Sequence, residues 1–262
     1  MVFNIINKKL TSLKGLRVTF VNMPLRETAT PNTPPEGPLI LSSVLRRYDA
    51  EVHLIDLNGY RIKDRLSKKK GLPNGRHLTY EEAESMLAKH IENVGDQDLI
   101  AFSGKITTLR WQEEMAKIVK RLLPECFLVT GNGLATEIKQ GLFNWIPELD
   151  AIGRSEGDSI IVDIAKDSMI IKEKGMKKAI ATGMLSRAHA GEINGKHRFI
   201  YEGGRPGDLD SIPYGAIDLL EKDPYGHNVL EDYIKVPVWG IAANNSSATP
   251  FEMKRSLTTV SS

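Results

Sequence analysis

Five short apolar runs, at 16–21, 51–56, 98–103, 126–130 and 150–153, punctuate the first part of this chain. Each suits one buried strand, and the segments between them carry helical periodicity. Between the first two runs, Leu41, Val44, Leu45 and Tyr48 share one helix face, and after the third Trp111, Met115, Ile118, Val119 and Leu122 do the same. Strands alternating with helices build βαβ units with right-handed crossovers. The pattern predicts an α/β fold: a doubly wound, Rossmann or flavodoxin-like, mainly parallel five-stranded sheet flanked by helices.

Beyond about residue 175 the pattern changes. Segments 179–184 and 197–200, joined through Asn194-Gly195, predict a hairpin. Proline and glycine recur from 203 to 215 as in a linker, and 237–242 and 256–262 are strand-like. The expected division is a sheet domain over 14–175 and a hairpin, linker and start of a further domain over 176–262. Thr79 and Glu82 have capping-box spacing before the stripe Ala83, Met86, Leu87, His90 and Ile91, which places His90 in a core. The basic stretch from Arg61 to Arg76 has no interleaved aromatic residues and is read as a solvated loop.

Composition narrows the function classes. Lysine plus arginine number 35 against 33 acidic residues, so no global field favours nucleic acid or an anionic membrane. A single cysteine, Cys126, can form no internal disulfide and no all-cysteine metal site within this chain. No run approaches the roughly 20 apolar residues of a membrane helix, and the start lacks a signal-peptide layout. The reading is cytoplasmic, with neither nucleic acid nor membrane as partner.

No Ser-His-Asp set, HExxH, Walker loop or paired metal-ligand spacing is present. Gly131-x-Gly133 lacks the third glycine of a dinucleotide fingerprint and follows the fourth strand instead of the first. What remains are loop ends at 24–37, 103–108, 131–134 and 153–158, rich in small and hydroxylated residues. In a doubly wound sheet these share one rim, suited to a large, mostly uncharged ligand with a flat heterocycle.

The chain carries Pro34-Pro35-Glu36-Gly37-Pro38-Leu39-Ile40-Leu41-Ser42-Ser43-Val44-Leu45-Arg46, then Val52-x-x-Ile55-Asp56 and Ser103-x-x-x-Thr107. Thr130-Gly131-Asn132-Gly133-Leu134-Ala135-Thr136, Gly153-Arg154-Ser155-Glu156-Gly157-Asp158 and a connector over 208–220 follow. In order and spacing these resemble the cobalamin-binding domain at the N-terminus of class B radical S-adenosylmethionine enzymes, over nearly the whole chain. The resemblance implies a parent of methyltransferase type. Its barrel would hold a four-iron cluster through Cys-x-x-x-Cys-x-x-Cys and cleave S-adenosylmethionine. The chain ends at Ser262, where the resemblance places the first barrel strand just before the first cluster cysteine. It is therefore expected to bind cobalamin without turnover, with its own catalytic barrel as partner.

The expected cobalamin contacts are Pro24, Leu25, Thr33, Pro34, Gly37, Ser103, Gly104, Lys105, Thr107, Thr108, Gly131, Asn132, Gly133, Leu134, Glu156 and Gly157. No residue is assigned as catalytic or metal-ligating. The chain departs from the family in three places. Asp-x-His-x-x-Gly is absent, so the cofactor is expected base-off with no histidine below cobalt and its benzimidazole tail between the Ser103 and Gly131 loops. Asn132 and Leu134 replace a glycine and a histidine, and Arg154-Ser155 replaces Gly-Glu. Two other readings compete: a degenerate scaffold or interaction domain that binds no cobalamin, and a nucleotide- or phosphosugar-binding transferase half-domain using Lys105.

Overall fold

The computed structural model describes residues 12–25, 33–72, 78–186, 188–205 and 208–234. In chain order the elements are β1 (Arg17–Asn22), α1 (Glu36–Arg46), β2 (Glu51–Asp56), α2 (Leu57–Lys69), α3 (Tyr80–Val94), β3 (Leu99–Ser103), α4 (Leu109–Leu122) and β4 (Phe127–Gly131). They continue with α5 (Asn132–Ile138), α6 (Leu142–Trp145), β5 (Ala151–Arg154), α7 (Ile161–Lys174), α8 (Met176–Ala181), β6 (His189–Ile193), β7 (Lys196–Glu202) and α9 (Val229–Ile234).

The strands form a seven-stranded sheet in the order β2-β1-β3-β4-β5-β7-β6. Every pairing is parallel except β6 with β7. This is the expected α/β architecture. The predicted hairpin extends it, because β7 pairs in parallel with β5. Asn194 and Gly195 both adopt positive φ, 55° and 72°, as a type I′ turn requires.

Side-chain alternation divides the core in two. Val18, Phe20, Leu54, Leu99, Ala101 and Val129 face α1 and α7. Val21, Ile55, Ile100, Phe102, Leu128 and Ile152 face α3, α4 and α5. Both sheet faces are covered, which explains why the strand segments read as continuous apolar runs. Among the described residues no helix is long and apolar enough to cross a membrane.

Local sequence explains several ends. Thr79 and Glu82 form the anticipated capping box on α3. Trp111 packs edge-on against Tyr80, centroids 4.5 Å apart. Arg198, fully buried, donates to the carbonyls of Leu149, Pro147 and Ile193 and lies over the Phe143 ring. That set fixes β7 against the turn before β5.

Three sequence expectations change. The basic stretch beginning at Arg61 is largely helix α2, because Arg61 and Ile62 are buried while Lys63 and Lys68 to Lys70 face water. Segment 179–184 is not a strand: Met176–Ala181 is helical, and β6 begins at His189. Gly131 to Gly133 is no free turn, since α5 starts at Asn132 directly after β4. The strand-like segments 237–242 and 256–262 lie outside the described residues.

After β7 the chain returns as a strap across α1 and the β2 edge. Ala216 N–H donates to Leu39 O at 3.0 Å, Arg46 pairs with Asp218 at 2.9 Å, and Arg47 donates to Ser211 O at 3.0 Å. The strap ends in α9, whose Tyr233 hydroxyl donates to buried Asp56 Oδ2 at 2.6 Å.

Candidate functional site

Register determines which residues meet at the rim. Asn22 pairs with Ser103, and Ser103 with Gly131, so the exits of β1, β3 and β4 stand level. Strand order reverses between β1 and β3, opening the crevice where doubly wound sheets take ligands. On the α1–α7 side of that rim lies a cavity of about 320 Å³, at the lower end of small-molecule sites, which run roughly 300–1,000 Å³. Phe20, Ala101 and Val129 contribute from the strands, Leu41 from α1, and Ile160, Ile161 and Ile164 from around the start of α7. Ile212, on the strap, completes the apolar lining, while Ser103 at the end of β3, Asn132 at the start of α5, and Ser155, Glu156 and Asp158 on the loop after β5 bring polar side chains.

Two glycines set the width of the cavity. A Cβ on Gly153 would stand 3.2 Å from Ile160 Cδ1, and one on Gly157 3.2 Å from Leu41 Cδ1. With hydrogen in place of a side chain, the start of α7 lies close on β5 and α1 lies close on the loop between β5 and α7. A Cβ on Gly37 would meet nothing within 4 Å, so this glycine leaves open space beside the cavity.

Of the sequence-predicted contacts, Gly37, Ser103, Gly131, Asn132, Glu156 and Gly157 line this one cavity. The others lie outside its lining. Pro24 is buried, and the half-buried Leu25 donates its N–H to Asn58 Oδ1 at 3.0 Å, beside the Asp56 cluster. Thr33 and Pro34 precede α1. Lys105 and Thr107 are exposed on the loop after β3. Gly104 and Thr108 are buried: the Thr108 hydroxyl donates to Lys105 O at 2.8 Å and accepts from Gln112 Nε2 at 3.3 Å, while Thr130 donates to Gln112 Oε1 at 2.5 Å. A Cβ on Gly104 would strike Thr108 Oγ1 and stand 2.6 Å from Gln112 Nε2. Gly133 is exposed, and Leu134, in α5, is buried in the core.

Sequence reasoning missed the aliphatic walls. Ile160 and Ile161 were visible as an apolar segment and Leu41 as part of a helix face, both of which also describe ordinary core. Ile212 had no local signal, because proline- and glycine-rich sequence around it reads as a linker.

The rim holds two unusual backbone conformations. Asn132 and Ser155, both lining the cavity, have φ of 71° and 58°. A left-handed residue other than glycine costs about 1–2 kcal/mol, and asparagine tolerates it best. The Asn132 side chain helps: Oδ1 accepts from Gly133 N–H at 2.6 Å and Nδ2 donates to Ser103 Oγ at 3.4 Å. Thr136, one turn into α5, donates to Asn132 O at 3.3 Å and accepts from Ser155 N–H at 3.1 Å.

A second polar cluster lies at the exits of β1 and β2. Asp56 accepts from Tyr233 at 2.6 Å, Asn22 Nδ2 at 2.7 Å and Asn58 N–H at 3.1 Å. Burial raises its pKa above the usual carboxylate value, and these donors act against the rise. Among the described residues, no three of histidine, cysteine, aspartate and glutamate gather closely enough to hold a metal ion.

No protein-family model matches the chain, and no curated protein matches it. Among solved structures it is similar to the radical S-adenosylmethionine methyltransferase TsrM from Kitasatospora setae, determined with tryptophan substrate and the analogue aza-SAM bound. Identity is 12% and the TM-score 0.48, over 71% of this chain and 30% of that one. The chain thus spans about a third of that structure's length.

Proposed function

We propose that this chain is a cobalamin-binding module, holding the cofactor base-off at the carboxyl edge of its sheet as part of a radical S-adenosylmethionine enzyme of methyltransferase type. One observation carries the reading: loop ends singled out by the sequence resemblance, at Gly37, Ser103, Gly131 and Glu156, surround a single apolar cavity. In this reading 14–175 with the β6–β7 hairpin is the cofactor half, and the strap leads toward a barrel carrying the cluster and S-adenosylmethionine.

The residues present fit part of the cofactor inside and part outside. A cavity of about 320 Å³ with aliphatic walls suits a flat bicyclic heterocycle such as the benzimidazole tail, and it is too small for a corrin ring. The macrocycle would rest on the rim. There Ser103, Asn132 and Ser155 offer donors and acceptors to peripheral carboxamides, and Glu156 and Asp158 accept from amide N–H groups. Ile160, Ile161 and Ile164 exclude water from the heterocycle. The lining as described holds no imidazole. Bound cobalamin would supply a cobalt-carried methyl group for transfer to a substrate held by the barrel. The nucleotide reading has no support from Lys105, which stands exposed and outside the cavity lining.

The test is retention. The purified chain is mixed with hydroxocobalamin and desalted, and its visible spectrum is recorded. Near-stoichiometric corrinoid with a base-off spectrum is expected. Gly37→Phe places a ring in open space, so it should keep the wild-type melting temperature and lose the colour. A wild-type protein without corrinoid, or a Gly37→Phe variant that retains as much as wild type, sinks the proposal.

A further inference from the structure

Thr136 lies outside the cavity lining, yet its hydroxyl joins two residues that do line it. The donor goes to the carbonyl of Asn132 at the exit of β4, and the acceptor takes the amide of Ser155 at the exit of β5. Both partners are the left-handed, non-glycine residues of the rim. A hydroxyl has one proton to donate and lone pairs to accept with, so this single group can hold both backbones at once. Ser103 extends the chain through Asn132 Nδ2, linking the exits of three neighbouring strands.

We propose that Thr136 is a positioning residue for ligand retention: it pins Asn132 and Ser155 in their left-handed conformations and thereby keeps the cavity wall between β4 and β5 in shape. The proposal rests on the cobalamin reading for the identity of the ligand and on the hydrogen-bond geometry for the role of the residue. Valine has the shape of threonine and can make neither bond, whereas serine can make both.

The experiment compares wild type, Thr136→Val and Thr136→Ser. Two quantities are read: hydrogen exchange of the residue-155 amide in ligand-free protein, and dissociation of hydroxocobalamin. Thr136→Val should speed both by about fivefold to tenfold, the worth of one or two net hydrogen bonds. Thr136→Ser, which keeps the hydroxyl, should match wild type in both. Exchange at Ser155 within about twofold of wild type in Thr136→Val means that no hydrogen bond of net value was lost, and overturns the proposal. So does faster exchange with unchanged cobalamin dissociation. A wild type that binds no corrinoid overturns the cobalamin reading, and with it the role in retention. The exchange rates then separately settle whether Thr136 pins the rim.

Discussion

Thr19 has one hydroxyl proton and gives it to Gln97 Oε1 at 2.7 Å, so His90 Nε2, 2.8 Å from the same oxygen, must carry the ring proton. The neutral ring and the imidazolium both carry a proton there, and burial favours the neutral ring. Burial, with the nearby His53 charge adding to it, lowers the His90 pKa from 6.5 to about 4. An unfolded chain binds a proton here through most of the interval between those values and the folded chain does not. Stability is thus full above about pH 6.5 and falls as pH drops toward 4, by about 3 kcal/mol in total from this group. His90→Gln keeps a donor for Thr19 without a titrating ring. Its urea midpoint should vary less with pH between 7 and 4.5 than that of wild type, and identical pH profiles would refute the assignment. The sequence already placed His90 in the core, because it falls in the apolar stripe of α3.

The loop from β3 into α4 shows how one element fits another. Its sequence, Ser103-Gly104-Lys105-Ile106-Thr107-Thr108, reads as a ligand-binding edge throughout, and the structure divides it. Ser103 lines the cavity, whereas Gly104 lies against the buried Thr108–Gln112–Thr130 relay that ties α4 to β4. Thr108 and Gln112 are both buried, so neither can swing into solvent to admit a methyl group. Gly104→Ala should therefore destabilise by about 1–3 kcal/mol, the usual cost of overpacking. Chemical denaturation measures it, and a variant as stable as wild type would show that the relay yields. A local sequence window cannot make this division, because glycine gives the same letter for a ligand approach and for a helix approach.

At the scale of the molecule, the strap joins cavity and sheet edge in one piece. Ile212 lines the cavity, Gly215 packs against Leu39, and Tyr233 reaches Asp56 at the exit of β2. Tyr233→Phe leaves one buried Asp56 oxygen without its best donor, at a cost of about 1–3 kcal/mol. Hydrogen exchange should then quicken first in α9, and loss spread evenly over the sheet would mean that the strap is not a separate unit. The sequence by itself determined the layers. Apolar runs alternating with helical stripes admit few folds other than a doubly wound sheet, since each strand must be covered on both faces and each helix on one. Capping at Thr79 and the turn at Asn194-Gly195 were equally legible, because local hydrogen bonds and φ preferences set them. Tertiary structure alone decided the rest. That β7 joins β5, that Ile212 closes a cavity, and that Thr136 bridges Asn132 and Ser155 all depend on residues far apart in sequence or on hydrogen-bond directions. Such contacts leave no periodic trace in the chain, because packing sets them only after the sheet has brought the loops to one rim.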